Sequence, residues 1–178
     1  MMRGLIPRLA RDQRGVSAIE FALIAPMLIT FYMGVTEMCQ GFMAQKRMGH
    51  VSAIVADLVS QQNAVNVETL NDILDVGEVI MQPFPTGSLH QRISSVSRLN
   101  GVDTVNWSLN DGITQNPAFT VPADLIGDNQ SVIVAEVTYH YDSPADYFLP
   151  DGITFRHVYF LLPRHVDRIP CTDCSAPA

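Results

Sequence analysis

The feature that most constrains this chain is an apolar run from Gly15 to Thr36 that carries one charged side chain, Glu20. As an α-helix this run would be about 33 Å long, close to the roughly 30 Å thickness of a bilayer's hydrocarbon core. A cleavable secretory signal has a shorter apolar core that ends at a small-x-small cleavage site, and no clear site of that kind closes this run. We therefore expect the segment to remain in the protein as a single membrane-spanning helix.

Charge is distributed unevenly around the run. Four arginines precede it and are opposed only by Asp12: Arg3, Arg8, Arg11 and Arg14. The long C-terminal part of the chain, by contrast, is acidic. Because Lys and Arg beside a membrane span are retained on the cytoplasmic side, we expect a cytoplasmic N-terminus and an exported C-terminal part. The formal net charge of −7 argues against a nucleic-acid partner, which would need clustered cations.

The apolar excess is local. The chain has 178 residues, of which 47% are hydrophobic, and the excess is concentrated between Gly15 and Met43, while the sequence after about Asn63 is typical of a soluble domain. Apolar residues at helical spacing continue the first helix beyond Gly41: Val51, Ile54, Val55, Leu58 and Val59. We therefore expect one long helix over residues 16–62, with Lys46 and Arg47 near its membrane exit, and a separate head over residues 63–178.

Glu20 is costly inside a bilayer, by about 2.5 to 3.5 kcal/mol on insertion scales, so it needs a partner. If a protease cut after Gly15, the new α-amino group of Val16 would lie about 6 Å away along the helix. The carboxylate could pair with that amine, with the amine of a neighbouring subunit, or reach water at the interface. Pro26 should kink the helix, and small residues would allow close helix packing: Ala18, Ala22, Ala25 and Gly34.

The stretch RGVSAIEFALIAP, residues 14–26, resembles the processing site and anchor of type IV pilin-like proteins. It is most similar to the TadE-like pseudopilins of tight-adherence pilus systems. The resemblance implies that residues 1–15 are a basic leader, which a prepilin peptidase removes between Gly15 and Val16. It implies an assembly role for Glu20, and Glu37 is similar to the family's second acid. The residues that pack between helices would be these: Phe21, Ala22, Ala25 and Pro26.

The resemblance also implies a function and a location. The expected protein is a minor pilin or pseudopilin of a tight-adherence pilus, single-pass in the bacterial inner membrane with a periplasmic head. Incorporation into an extracellular pilus is left open as a further location. Its partners would be the prepilin peptidase, other pilins or pseudopilins through the N-terminal helix, the inner-membrane assembly platform and membrane lipid. No cofactor is implied.

In the head, the pattern predicts a short helix and an antiparallel sheet. The helix should begin at Asn66, a good N-cap residue, and end before the proline-rich stretch 82–87. Strands 93–99 and 102–109 flank an Asn-Gly hairpin signal, with Val105, Trp107 and Leu109 expected on one face. Further strands are predicted at 132–141 and 153–162. The fold class is therefore α+β, with a long N-terminal helix followed by a helix-and-sheet head that is pilin-like.

The final strands also resemble the TadE-like family. Such heads carry a valine-rich strand, a connection with aromatic residues and proline, and a closing strand that ends in Pro-Arg. Here these are residues 132–141, 144–149 and 155–164. The connection is too long for a tight hairpin, so the two strands need only be neighbours.

Cys171 and Cys174 form a CxxC pair. In an exported head the simplest interpretation is a local disulfide, which closes so short a loop that it would secure the tail more than the fold. A redox pair at a helix N-terminus and a zinc site completed by His157 and His165 are alternatives.

No catalytic arrangement emerges from the rest of the sequence, which contains no HExxH, G-x-S-x-G or phosphate-binding glycine loop. We expect neither catalysis nor a metal. Two other functions stay open: a signal-anchored periplasmic binding module or adhesin that enters no filament, and a periplasmic thiol oxidoreductase that uses the CxxC pair.

Overall fold

The computed structural model of the protein describes residues 15–113, 121–143 and 149–174, and these ranges contain two helices and one four-stranded antiparallel sheet. The helices are α1 (Val16–Ser60) and α2 (Val67–Met81). The strands are β1 (Leu89–Leu99), β2 (Val102–Asp111), β3 (Ser131–Tyr141) and β4 (Ile153–Leu161). The α+β fold class predicted from the sequence is confirmed.

Helix α1 is continuous over 45 residues, about 67 Å at 1.5 Å per residue. Pro26 lies inside the helix without ending it. From Glu37 onward one side of α1 packs against the rest of the chain, and its buried residues recur at steps of three and four: Gly41, Ala44, Met48, Val51, Val55 and Val59. Ile54, which the sequence placed on this face, is instead 36% exposed, because it lies at the border between the packed and open sides.

Helix α2 follows a short turn and begins as predicted. The side chain of Asn66 accepts a hydrogen bond from the backbone N–H of Thr69 at 2.7 Å, which satisfies one of the free donors of the first turn. The predicted core side of α2 is buried, with Leu70, Ile73 and Leu74 on it. Gly77 lies on the same side and allows Gln91 of β1 to approach the helix.

The sheet has the order β2-β1-β3-β4, and every neighbouring pair is antiparallel. Asn100 and Gly101 both have positive φ, as the two-residue turn between β1 and β2 requires. Strands β3 and β4 are directly paired, with Glu136 opposite Val158. Residues 144–148, most of the predicted connection between them, fall outside the described residues.

Both faces of the sheet are covered. One face packs on α1 and α2 and contributes Ile93, Trp107 and Ile133 to the main core. The other face forms a smaller core in which Val96 and Val134 meet Val121, Leu125 and Ile126 of the segment before β3.

The expectation that Val105 shares a face with Trp107 was wrong. The β1–β2 register shifts so that Ser95 lies opposite Trp107 while Val96 lies opposite Val105, leaving Asn106 as the extra residue. Such a bulge reverses the alternation of side chains beyond it. Trp107 therefore belongs to the main core, as predicted, whereas Val105 packs in the smaller one.

After β4 the tail crosses the sheet end and joins the α1–α2 turn. Val65 donates its backbone N–H to the carbonyl of Pro170 at 3.0 Å, and Thr172 donates to the carbonyl of Val65 at 3.2 Å. Ile169 is fully buried, and its carbonyl accepts the indole N–H of Trp107 at 2.8 Å. The tail is therefore part of the core.

Candidate functional site: the N-terminal helix and its exit from the head

The predicted cleavage junction lies at the very start of α1. Gly15 is the residue before the helix and Val16 is its first residue. Both are exposed, and a side chain added at Gly15 would meet nothing within 4 Å. The junction is therefore sterically open, while residues 1–14 of the predicted leader fall outside the described residues.

The first half of α1 is not covered by the head. From Val16 to Val35 no side chain is buried, and the large apolar ones are widely exposed, as with Leu23 at 75% and Met27 at 77%. Among the described residues, α1 is the one helix long and apolar enough to cross a membrane by length and composition. Apolar surface on this scale is costly in water, so the segment needs an apolar surrounding that the described part of the chain does not provide.

The side chains predicted to act in assembly lie on this open segment. Glu20, Phe21, Ala22 and Pro26 are exposed, and Ala25 is half-buried. The hydroxyl of Thr30 donates to the carbonyl of Pro26 at 2.9 Å, so a polar side chain on this segment is satisfied within the helix. All five predicted positions are therefore available to a partner in the isolated chain.

Glu37, by contrast, faces the head. Its side chain is only 3% exposed, and it lies near Tyr141 at the end of β3, whose ring is about 3.5 Å from where a side chain at Gly41 would begin. Burial raises the pKa of the Tyr141 phenol above its usual value of 10.0, a hydrogen bond with Ser143 lowers it, and the nearby Glu37 carboxylate raises it further. The head thus begins to enclose α1 at Glu37.

Two cations follow this point on α1. Lys46 lies with its ammonium 5.2 Å from the centre of the Phe42 ring, a cation–π distance. Arg47 donates to the carbonyl of Ile80 at 3.1 Å and also to that of Gln82. These carbonyls belong to the C-terminal end of α2, where a cation is favourable, so Arg47 ties α2 to α1.

The CxxC pair lies beside the N-terminus of α2. The sulfur atoms of Cys171 and Cys174 are 1.94 Å apart, at disulfide distance. Asp173, between them, accepts the backbone N–H of Val67 at 2.8 Å. Among the described residues, Cys171, Asp173 and Cys174 also lie close enough together to be considered for a metal ion, but sulfurs bonded to each other offer no thiolate ligand. His157, considered as a zinc ligand, instead lies 2.9 Å from the hydroxyl of Ser52 on α1.

The structure forms two polar clusters in the head, and the first of them was missed from the sequence. On the face away from the helices, buried Glu136 accepts hydrogen bonds from Arg92 and Arg156, at 3.0 and 2.6 Å for the two Nε atoms. Their positions on three different strands gave no sequence signal. At the end of the sheet where β3 ends and β4 begins, Nδ1 of His140 lies 2.8 Å from the Thr154 hydroxyl, and Nε2 of His140 lies 3.0 Å from a carboxylate oxygen of Asp142.

The His140 cluster resembles a hydroxyl–imidazole–carboxylate chain but does not resemble a catalytic site in its surroundings. Asp142 is 77% exposed and His140 is 40% exposed, so water screens the pair. Gly152 has a positive φ, and a side chain there would clash with the Tyr141 carbonyl and the His140 ring. The cluster fits the role of fixing the turn before β4.

Comparison with known proteins concerns the helix rather than the head. Residues 15–57 match the family model described as TadE-like protein. Neither the curated proteins nor the solved structures contain a match to the chain. The matched range begins at the predicted cleavage junction, includes Glu20 and Glu37, and ends within the part of α1 that packs on the head. Over this range, about a quarter of the chain, the protein is similar to the TadE-like family.

Proposed function

We propose that the chain is a minor pilin or pseudopilin of a tight-adherence type IV pilus. A prepilin peptidase cuts it between Gly15 and Val16, and it then takes part in pilus assembly and so in surface attachment. The observation that carries this proposal is the division of α1: one side of its second half is buried by the head, while residues 16–36 are left open and apolar. In this role the chain is structural and needs no catalytic residues.

The open half of α1 serves two surroundings in turn. In the inner membrane, lipid covers it, with the N-terminus in the cytoplasm and the head in the periplasm. In the assembled pilus, the apolar helices of neighbouring subunits replace the lipid, and the small residues Ala22 and Ala25 allow close approach. The assembly platform moves the subunit from one surrounding to the other.

Glu20 sets the register of this packing. Cleavage creates a cationic amine on Val16, and the Glu20 carboxylate gains a partner of opposite charge in an apolar environment, where such a pair is much stronger than in water. In an array, the amine of one subunit and the carboxylate of the next are brought together only at one axial offset. Open exposure of Glu20 on α1 supports pairing with a neighbour.

Cleavage is tested first. Gly15→Ala should block processing, because the peptidase must approach the backbone closely at the last leader residue and a methyl group would obstruct it. The chain itself has room for that methyl group, so a loss of processing would not come from a clash within the protein. Mass spectrometry of the chain purified from membranes measures whether residues 1–15 are retained. Gly49→Ala, a glycine of α1 that also has nothing within 4 Å, is the matched control and should be processed normally.

Assembly is tested separately. Glu20→Ala and the isosteric Glu20→Gln should both be cleaved but should lower the amount of protein in sheared pilus fractions at least tenfold, corresponding to about 1.4 kcal/mol or more for the lost pair. Glu78→Gln, which removes an exposed acid from α2, should leave assembly unchanged. Normal assembly of the Glu20→Gln protein would refute the role of the charge.

The alternative is a signal-anchored binding module or adhesin that enters no filament. In that case the mature protein would keep residues 1–15 and would remain with the membrane after shearing. Detection of the full-length chain by mass spectrometry in wild-type cells would favour this alternative over the pilus proposal.

A further inference from the structure

The burial of Glu37 changes where the membrane can end. In the sequence, this acid follows the apolar run directly and suggests that the span stops at Thr36. In the structure its side chain is 3% exposed and packed toward the head. From Phe21 to Met43, α1 therefore exposes no charged side chain.

The outer side of α1 remains apolar beyond Glu37. Met38, Phe42 and Met43 are 63%, 58% and 52% exposed. The helix from Phe21 to Met43 is about 34 Å long, enough to cross a hydrocarbon core of about 30 Å with slight tilt. The uncharged run from Phe21 to Thr36 is only about 24 Å long.

Cations mark the end of this longer span. Lys46 lies over the Phe42 ring, and Arg47 follows at the C-terminal end of α2. An aromatic ring with a cation next to it is typical of a membrane–water interface, where the apolar part lies in lipid and the charge reaches the headgroups.

We infer that lipid covers the outer side of α1 as far as Met43, so that the head is partly seated in the outer lipid interface and shields Glu37 at membrane depth. Tyr141 and Phe84 form the part of the head beside Glu37, since their rings are 6.1 Å apart and Tyr141 packs on Gly41 of α1. The inference rests on the proposed membrane anchoring of α1. It adds that the end of the head around Tyr141 and Phe84 is a lipid-binding surface.

Three positions on one side of α1 test the depth. Tyr32, Met43 and Ile54 are spaced by eleven residues, which returns to nearly the same direction on a helix and advances about 16 Å each time. All three are exposed, at 69%, 52% and 36%. Labels at these positions therefore report three depths in the membrane along the same side of α1.

The full-length protein, with Cys39 replaced by alanine, is reconstituted into vesicles of phosphatidylethanolamine and phosphatidylglycerol. Each of the three positions is changed to cysteine in turn, spin-labelled, and compared for collision with oxygen, which concentrates in lipid, and with a water-soluble nickel complex. Fluorescence of Trp107, which is 3% exposed, checks that each variant keeps its folded head.

We expect the labels at positions 32 and 43 to favour oxygen and the label at position 54 to favour nickel. A position 43 label that matches position 54 would overturn the inference while leaving the anchor intact. Dipolar broadening at position 43 would also overturn it, because a second copy would then occupy this surface instead of lipid. If position 32 matches position 54, the membrane anchor fails and the inference fails with it.

Discussion

Gly77 should be one of the least replaceable residues of the head. A methyl group added there would lie 2.2 Å from Oε1 of Gln91 and 2.8 Å from its Cδ. Gln91 has little freedom to move, since it is 1% exposed and its amide donates to the carbonyl of Leu74 at 2.9 Å. Gly77→Ala should therefore overpack this contact, at a cost of about 1 to 3 kcal/mol, and weaken a buried hydrogen bond worth about 1 kcal/mol.

Helix propensity acts in the opposite direction. Replacing glycine by alanine inside a helix stabilises it by about 1 kcal/mol, so the net loss should be about 1 to 3 kcal/mol. Gly49→Ala in α1 isolates this term, because that site has open space around it, and it should stabilise the protein by about 1 kcal/mol. Thermal unfolding of the detergent-solubilised chain should show a Tm lower by about 3 to 9 °C for Gly77→Ala and higher by about 3 °C for Gly49→Ala.

A double-mutant cycle identifies the cause. In a Gln91→Ala background the obstacle is gone, so Gly77→Ala should become neutral or stabilising, and the two substitutions should not be additive. If Gly77→Ala raises the Tm as much as Gly49→Ala does, the close approach of Gln91 to α2 is not the reason for the glycine.

Three further predictions concern the head. Glu136→Gln should lower the free energy of unfolding by about 3 kcal/mol, because Arg92 would remain buried beside a neutral group; thermal denaturation should show a far smaller loss for Asp103→Asn at the more exposed pair with Arg98. Replacing both Cys171 and Cys174 by serine removes a short loop worth about 2 kcal/mol on the chain-entropy estimate, and hydrogen exchange should increase first in the tail. Burial raises the Tyr141 pKa, so above about pH 10 the unfolded chain loses this proton first and stability falls as pH rises; Tyr141→Phe should make that fall shallower in Tm measurements across this range.

The helices could be predicted because their signals are local. The apolar run of α1 and the Asn66 cap of α2 depend on residues within a few turns, and both predictions are confirmed. The hairpin at Asn100 and Gly101 was equally local. The bulge at Asn106 could not be predicted in this way, because apolar residues alternate along the sequence of β2 in the same pattern whether or not one residue lacks a partner in β1.

The site was predicted in part for the same reason. The positions of Gly15, Val16 and Glu20 at the start of an open helix follow from the sequence around them. Burial of Glu37 does not, since it depends on Tyr141, about a hundred residues further along the chain. A residue that marks a membrane boundary in sequence can therefore be covered in the fold.

The contacts of the tail were also out of reach of sequence reasoning. Ile169 lies in a stretch of charged residues and prolines, yet it is fully buried and accepts the Trp107 indole N–H. Only the three-dimensional path of the chain over the sheet end brings these two residues together.

This path has a consequence for the order in which the head can fold. The segment that completes the core around Trp107 follows all four strands in the chain. Until Ile169 packs, the indole N–H lacks its hydrogen-bond acceptor and the core around Trp107 lacks one of its fully buried side chains. Pairing of the four strands therefore leaves the head incomplete, and its folding ends only when the tail has packed.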